Sequence, residues 1–220
     1  MNDEIIFAIQ YQTGNTQESQ GFSAEFTSTV RQGRQDGLNL ANPNLVADFT
    51  VFGGNRTEVS FVTFGSKNEV TKFLPDGSDV SVFPPTYGPS PGDAGNDLIV
   101  LRYADVLLLH AEAILAGAGQ TSSGAAIESY MAVRTRAGFD ASSRPAALTA
   151  SDLLVERRVE LAFENHRFHD LVRFGVADAI LGAHAAENGF TDYDARKLLL
   201  PIPSREINLS RGILTQNPGY

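Results

Sequence analysis

The sequence predicts a mainly α-helical protein whose first half is loop-rich and carries a few short β-strands. Two observations carry this reading. Beyond residue 98, apolar residues recur at helical spacing between cap-like residues and glycines. Before residue 98, apolar stretches are short, β-prone and closed by Gly or Pro. The chain is read as a single domain over 1–220, with 1–98 as the loop and short-strand part and 99–220 as the helical part.

Taken in order, residues 4–12 form the first predicted strand, with Ile5, Phe7, Ile9 and Tyr11 on one face at period two. Residues 59–64 and 70–74 are further strand candidates. Between them, 13–48 is polar and rich in Gly, Asn, Gln and Ser, with isolated Phe22 and Phe26, and reads as loop with at most a helical turn. Residues 83–97 hold Pro84, Pro85, Pro89 and Pro91 with three glycines, which excludes both helix and central strand. This stretch is a connector, or a recognition loop carrying Tyr87.

Asn96 or Asp97 is predicted to cap a helix running to about Gly117 that is apolar nearly all round and therefore packed on several sides. A second helix is expected from Ser122 or Ser123 to about Ala137, stopped by Gly138. Thr149 with Asp152 has the form of a capping box opening a third helix, with Val155, Val159, Ala162 and Phe163 at helical spacing. A short helix over 168–174 ends at Gly175. Residues 198–204 are extended, because each proline disfavours helix in the residue before it.

Composition excludes several function classes. The 220 residues include 17 Lys+Arg against 26 Asp+Glu, a formal net charge of −9, so a nucleic-acid partner is not expected. The acidity is uneven: residues 1–98 carry 5 basic and 12 acidic side chains, residues 99–220 carry 12 and 14. No cysteine is present, which excludes a disulfide framework, a thiolate metal site and a cysteine nucleophile. The longest apolar stretch, 98–118, is interrupted by Arg102, Asp105, His110 and Glu112, which suits a buried helix better than a membrane span. Residues 1–4 are acidic and the apolar run 5–9 is too short for the apolar region of an export signal, so none is expected over these residues.

Two clusters have the ingredients of chemistry. His166 and His169, three apart with Glu164 and Asp170 nearby, could share a metal, but the His-Glu-x-x-His spacing is absent and helix capping explains the same residues. No metal or other cofactor is predicted. Glu160 and Glu164 lie one turn apart beside Arg157 and Arg158. They could serve acid–base work, and ion pairing accounts for them without catalysis. No enzyme is predicted.

Several stretches form recognisable words. Residues 100–113, from Val-Leu-Arg-Tyr-Ala-Asp to Ala-Glu-Ala, resemble the LRYADVLLMYAEA helix of the SusD/RagB family. Residues 133–138 resemble its VRxRAG, and 156–175 its ERRxELxFEGxRWxDLxRWG, with Asn165 in place of the glycine and Phe168 in place of the first tryptophan. Residues 200–207 and 216–220 resemble its PIPxxEI and QNPGY words; residues 6–11 and 71–73 match its IFAIxY and xKY more loosely.

The resemblance implies the C-terminal portion of a SusD-like protein, with tetratricopeptide-like helix packing. It implies non-catalytic capture of an extracellular nutrient, most typically a glycan, for hand-over to a SusC-like TonB-dependent transporter at the outer membrane. Membrane attachment would come only from a lipid anchor in an N-terminal part, and Met1 would be an artificial start or a truncation. An alternative is a scaffold module that docks to the transporter or to that N-terminal part without touching ligand. Aromatic platforms flanked by polar groups usually hold the sugar, and the chain has no Trp, leaving Phe and Tyr. The candidate ligand-binding residues are Tyr87, Phe22, Phe26 and Phe83.

Two structural expectations follow. Arg102 and Asp105, or Arg157, Glu160 and Glu164, should be partly buried and paired with one another or with backbone, because a charge facing hydrocarbon alone costs several kcal/mol. An apolar surface should be exposed on residues 100–114 or on 155–163.

Overall fold

The computed structural model describes residues 2–14, 17–26, 39–75, 78–79 and 93–220. They fall into two compact units, one ending at Asn165 and the other running His166–Tyr220.

In the first unit, strand β1 (Ile5–Ile9) is paired antiparallel with a later strand, Leu98–Arg102. The register slips on both sides of Phe7, so the period-two face does not form: Ile5 is half-buried, whereas Phe7 and Ile9 are exposed. Helix α1 (Pro43–Phe52), unforeseen in the 13–48 stretch, starts where the Asn42 side chain accepts from the Asn44 N–H and Pro43 supplies a preset φ. A short helix, α2 (Thr57–Ser60), then leads into the hairpin β2 (Phe61–Phe64) and β3 (Lys67–Val70). Both strand expectations here shift. Val59 and Ser60 are helical, and the second strand ends at Val70 where it was expected to begin. The Gly65–Ser66 turn, with Gly65 at φ +58°, fixes that register.

The predicted helix start at Asn96 or Asp97 is also corrected. Leu98–Arg102 is strand β4, and helix α3 (Tyr103–Leu115) begins only after it. The backbone of 98–102 takes its hydrogen bonds from β1, and Tyr103 N–H donates to the Glu4 carbonyl at 2.8 Å. A two-residue pairing follows between β5 (Gln120–Thr121) and β6 (Leu148–Thr149), which bracket helix α4 (Gly124–Arg136). Gly138, at φ +89°, ends α4 as expected. Helix α5 (Ala150–Glu160) opens on a complete capping box, with Thr149 and Asp152 exchanging bonds at 3.0 Å. It stops at Glu160, short of Ala162 and Phe163, because Phe163 adopts φ +69°.

Helices α3 and α4 pack extensively as a hairpin, with α5 against α3. Their buried side chains include Leu108, Ala111 and Leu115 of α3, Ile127 and Val133 of α4, and Leu153 of α5. A second cluster joins Phe49 of α1 to Val159 and Ala162, with Phe61 and Phe163 packed on it.

In the second unit, α6 (Arg167–Arg173) ends before Gly175 at φ +70°, and α7 (Ala177–Glu187) follows. An extended stretch over 199–203 precedes α8 (Ser204–Leu209). Gln216 pairs with this stretch as a strand would: its side-chain oxygen accepts from Ile202 N–H at 2.8 Å and its amide donates to the Ile202 carbonyl at 2.9 Å.

The capping box makes a clean test of the α5 boundary. Thr149→Ala should cost about 1 kcal/mol of stability, read as a lower urea midpoint with an unchanged slope.

Candidate functional site

The motif words of the first unit converge on one buried network of charge. Glu160, the last residue of α5, and Glu164, in the turn after it, supply its centre. Arg102, at the junction of β4 and α3, grips Glu164 in a two-pronged contact, Nε to Oε2 at 2.7 Å and Nη2 to Oε1 at 2.8 Å. The same guanidinium bonds the Glu160 carboxylate, the Glu160 carbonyl at 2.6 Å and Glu4 at 3.1 Å. Arg56 bridges Glu156 and Glu160, both at 2.7 Å. Arg136 joins Glu160 to Glu4, and Arg134 bonds Glu156 at 3.0 Å with its guanidinium 3.9 Å from the Phe139 ring centre. Lys72 completes the set on Glu164 at 2.5 Å.

Arg157 faces Asp105 at 2.8 Å, in an ion-pair contact rather than an aligned hydrogen bond. All five charges expected to be partly buried and paired are paired: Arg102, Asp105, Arg157 and Glu160 are buried, and Glu164 is half-buried. The sequence reading missed Arg56, Lys72 and Arg136 as their partners, and Arg134 as the partner of the neighbouring Glu156. Three of those four sit in the xKY and VRxRAG words, a usable signal; Arg56 has none.

Burial alone would raise the Glu160 carboxyl, but Arg102, Arg136 and Arg56 outweigh it and hold it at about 2. Glu164 is likewise pushed up by burial and brought below the ordinary carboxylate value by Arg102 and Lys72. Burial wins at Lys72, whose ammonium lies below its ordinary value despite Glu164. A carboxyl held near 2 stays ionised at neutral pH and has no proton to give. In this structure both carboxylates are engaged in ion pairs with arginine and lysine.

Beside the network lies a cavity of about 500 Å³. Val59, Phe73, Leu74 and Ile99 give it apolar walls, and Asn96 and Asp97 border it. Phe73 also belongs to an aromatic cluster: its ring centre is 5.9 Å from Phe22 and 4.9 Å from Phe26, and Tyr11 is 6.3 Å from Phe22. All four rings are half-buried. Polar groups adjoin them: the Gln20 amide donates to the Ser23 hydroxyl at 2.7 Å and to the Asn96 side-chain oxygen at 2.5 Å. The structure therefore brings Phe22 and Phe26 together through Phe73, which the sequence reading did not single out. Phe83 and Tyr87 lie outside the described residues. Among the described residues no group of three His, Asp or Glu side chains is placed to hold a metal, and no helix is long and apolar enough to cross a membrane.

The exposed apolar surface falls on the first of the two expected stretches. Val100, Leu101, Tyr103, Val106 and Leu109 are exposed beside Ile6 and Phe7 of β1, while Val159 and Ala162 are buried.

The mostly helical scaffold is one that this chain shares with SusD-like structures. The sequence profile of the SusD family matches residues 78–220, and the chain belongs to that family. SusD-like protein P2 of Formosa agariphila is 30% identical over 137 residues, covering 58% of this chain and 27% of the relative. Among solved structures, a laminarin-binding SusD-like protein superposes on 100% of this chain and 50% of its own, with 24% identity and a TM-score of 0.72. Surface glycan-binding protein A from Bacteroides fluxus does so over 99% and 51%, with 26% identity and a TM-score of 0.71. The corresponding protein of Bacteroides thetaiotaomicron, in complex with laminarihexaose, matches 97% and 52% at 21% identity, with a TM-score of 0.72. The chain spans about half the length of these structures.

Removing one member of a buried charge network leaves the others uncompensated. Glu160→Gln should cost about 3–5 kcal/mol in chemical denaturation. Because the folded value of about 2 lies below the ordinary 4.5, the stability that Glu160 contributes is complete above about pH 4.5 and drains away as pH falls towards 2. Urea midpoints across that window should fall more steeply in the parent protein than in Glu160→Gln.

Proposed function

We propose that this chain is one domain of a non-catalytic protein that captures an extracellular glycan at the outer-membrane surface and hands it to a SusC-like TonB-dependent transporter. The observation that best supports capture is its near-complete superposition on a surface glycan-binding protein solved with laminarihexaose, joined to membership of the SusD family. Capture without cleavage agrees with the Glu160 and Glu164 carboxylates being committed to arginine and lysine.

Within the chain, we place the sugar on the Tyr11, Phe22, Phe26 and Phe73 cluster. Half-buried rings offer a stacking face, while Gln20, Ser23 and Asn96 supply donors and acceptors for hydroxyls. Tyr87 and Phe83 are proposed as further ligand contacts. Calorimetric titration of the 220-residue chain with laminarihexaose tests the reading. Binding heat is expected, Phe22→Ala or Phe26→Ala should weaken affinity about tenfold, or about 1.4 kcal/mol, and no new reducing ends should appear. Affinity indifferent to both substitutions would remove the platform, and turnover would remove the non-catalytic reading.

A second reading, docking to another polypeptide without ligand contact, draws on the uncharged exposed face around Val106 and Leu109. Sedimentation discriminates here. Concentration-dependent association that Val106→Lys with Leu109→Lys abolishes supports docking; a monomer at all concentrations counts against it.

A further inference from the structure

Phe163 and Asn165 both hold left-handed backbone, at φ +69° and +65°, in the turn that follows α5. Asn tolerates that conformation, but a bulky aromatic residue seldom does, so the turn is strained and something must hold it. The Phe163 ring is partly buried against the Phe49, Val159 and Ala162 cluster, which anchors the side chain but leaves the backbone to be fixed. The Lys72 ammonium, reaching in from the segment just after β3, has three N–H donors and aims all of them at this turn. It donates to the Glu160 carbonyl at 3.1 Å, the Ala162 carbonyl at 3.1 Å and the Glu164 carboxylate at 2.5 Å. Arg102 takes the Glu160 carbonyl and the Glu164 carboxylate from another side. The Ala162 carbonyl, next to the strained Phe163, is bonded by Lys72.

We propose that Lys72 is a latch that holds the strained 161–165 turn shut, and that this turn opens as a local unit separate from the helices of the first unit. Opening would release Glu164, and with it one of the partners of Arg102, without unfolding α3 or α4.

Native-state hydrogen exchange tests this directly in the unmodified chain. The Glu164 amide, which donates to the Leu161 carbonyl at 3.1 Å, is the reporter. Its exchange should be nearly independent of low urea, while amides in the middle of α4 exchange only as urea approaches the global transition. Lys72→Met should then speed exchange at Glu164 at least tenfold relative to the α4 amides, and Lys72→Arg should restore most of the protection. If the Glu164 amide follows the global urea dependence in the unmodified chain, no local opening exists and the proposal falls, whether or not Lys72→Met folds. It falls equally if Lys72→Met speeds all amides by the same factor, which marks a purely global role, or leaves Glu164 unchanged.

Discussion

The fold of the first unit depends on keeping two carboxylates, Glu160 and Glu164, charged in a place that water scarcely reaches. Desolvation opposes this, and only several cations brought together from distant sequence can offset it. Arg56, Lys72, Arg102 and Arg136 come from four separate segments, so the network exists only when β1, α1 with its following turn, the β2–β3 hairpin, β4 and the end of α4 are all in place. An apolar core of the same volume would tolerate small slips between these segments. A two-pronged Arg102–Glu164 contact does not, because guanidinium and carboxylate must meet in one plane. The network therefore specifies arrangement more than it adds stability, which explains why it can be built around a lysine that burial penalises.

Much of this was legible in the sequence. The capping box at Thr149, the stops at Gly138 and Gly175, and the full or partial burial of Arg102, Asp105, Arg157, Glu160 and Glu164 follow from local chemistry or from the impossibility of leaving a charge bare against apolar neighbours. What escaped was set by partners distant in sequence. Residues 98–102 are as apolar as the helix after them, and only the presence of β1 across from them makes them strand. The slips around Phe7 destroyed the alternation that periodicity promised, and no rule within nine residues announces them. Helix α1 is a different case: Asn42 followed by Pro43 is a legible start signal, lost in the polar bias of the surrounding 13–48 stretch.

The proposed site was less legible than the scaffold, for a physical reason. Motif words mark residues whose neighbours are fixed by buried charge, whereas ring clusters form from aromatic residues that carry no spacing rule. Phe22 and Phe26 stood out as isolated rings in a polar stretch, yet Phe73, which touches both, was read only as part of a strand candidate and of the xKY word. The structure also couples the two regions. Lys72 belongs to the charge network and Phe73 to the ring cluster, so one turn after β3 registers the aromatic surface against the scaffold. Asn96 strengthens that registration by donating to the Phe73 carbonyl at 3.1 Å while accepting from Gln20. Rings held this way present their faces with little conformational entropy left to lose, which is what a stacking platform requires.

The same reasoning bears on the α3 face that no described residue covers. Tyr103, Val106 and Leu109 follow one another at three-residue spacing, with no charged side chain in the exposed stripe they form. A helix that ends a stack normally turns polar groups outward, because solvent, not another helix, is its neighbour. Here the inward face already carries Leu108, Ala111 and Leu115, so the outward stripe is not needed for the core of this unit. An amphipathic helix would have placed Lys or Glu at those positions at no cost to packing. Their absence leaves α3 with two apolar faces, one packed in the core of this unit and one exposed.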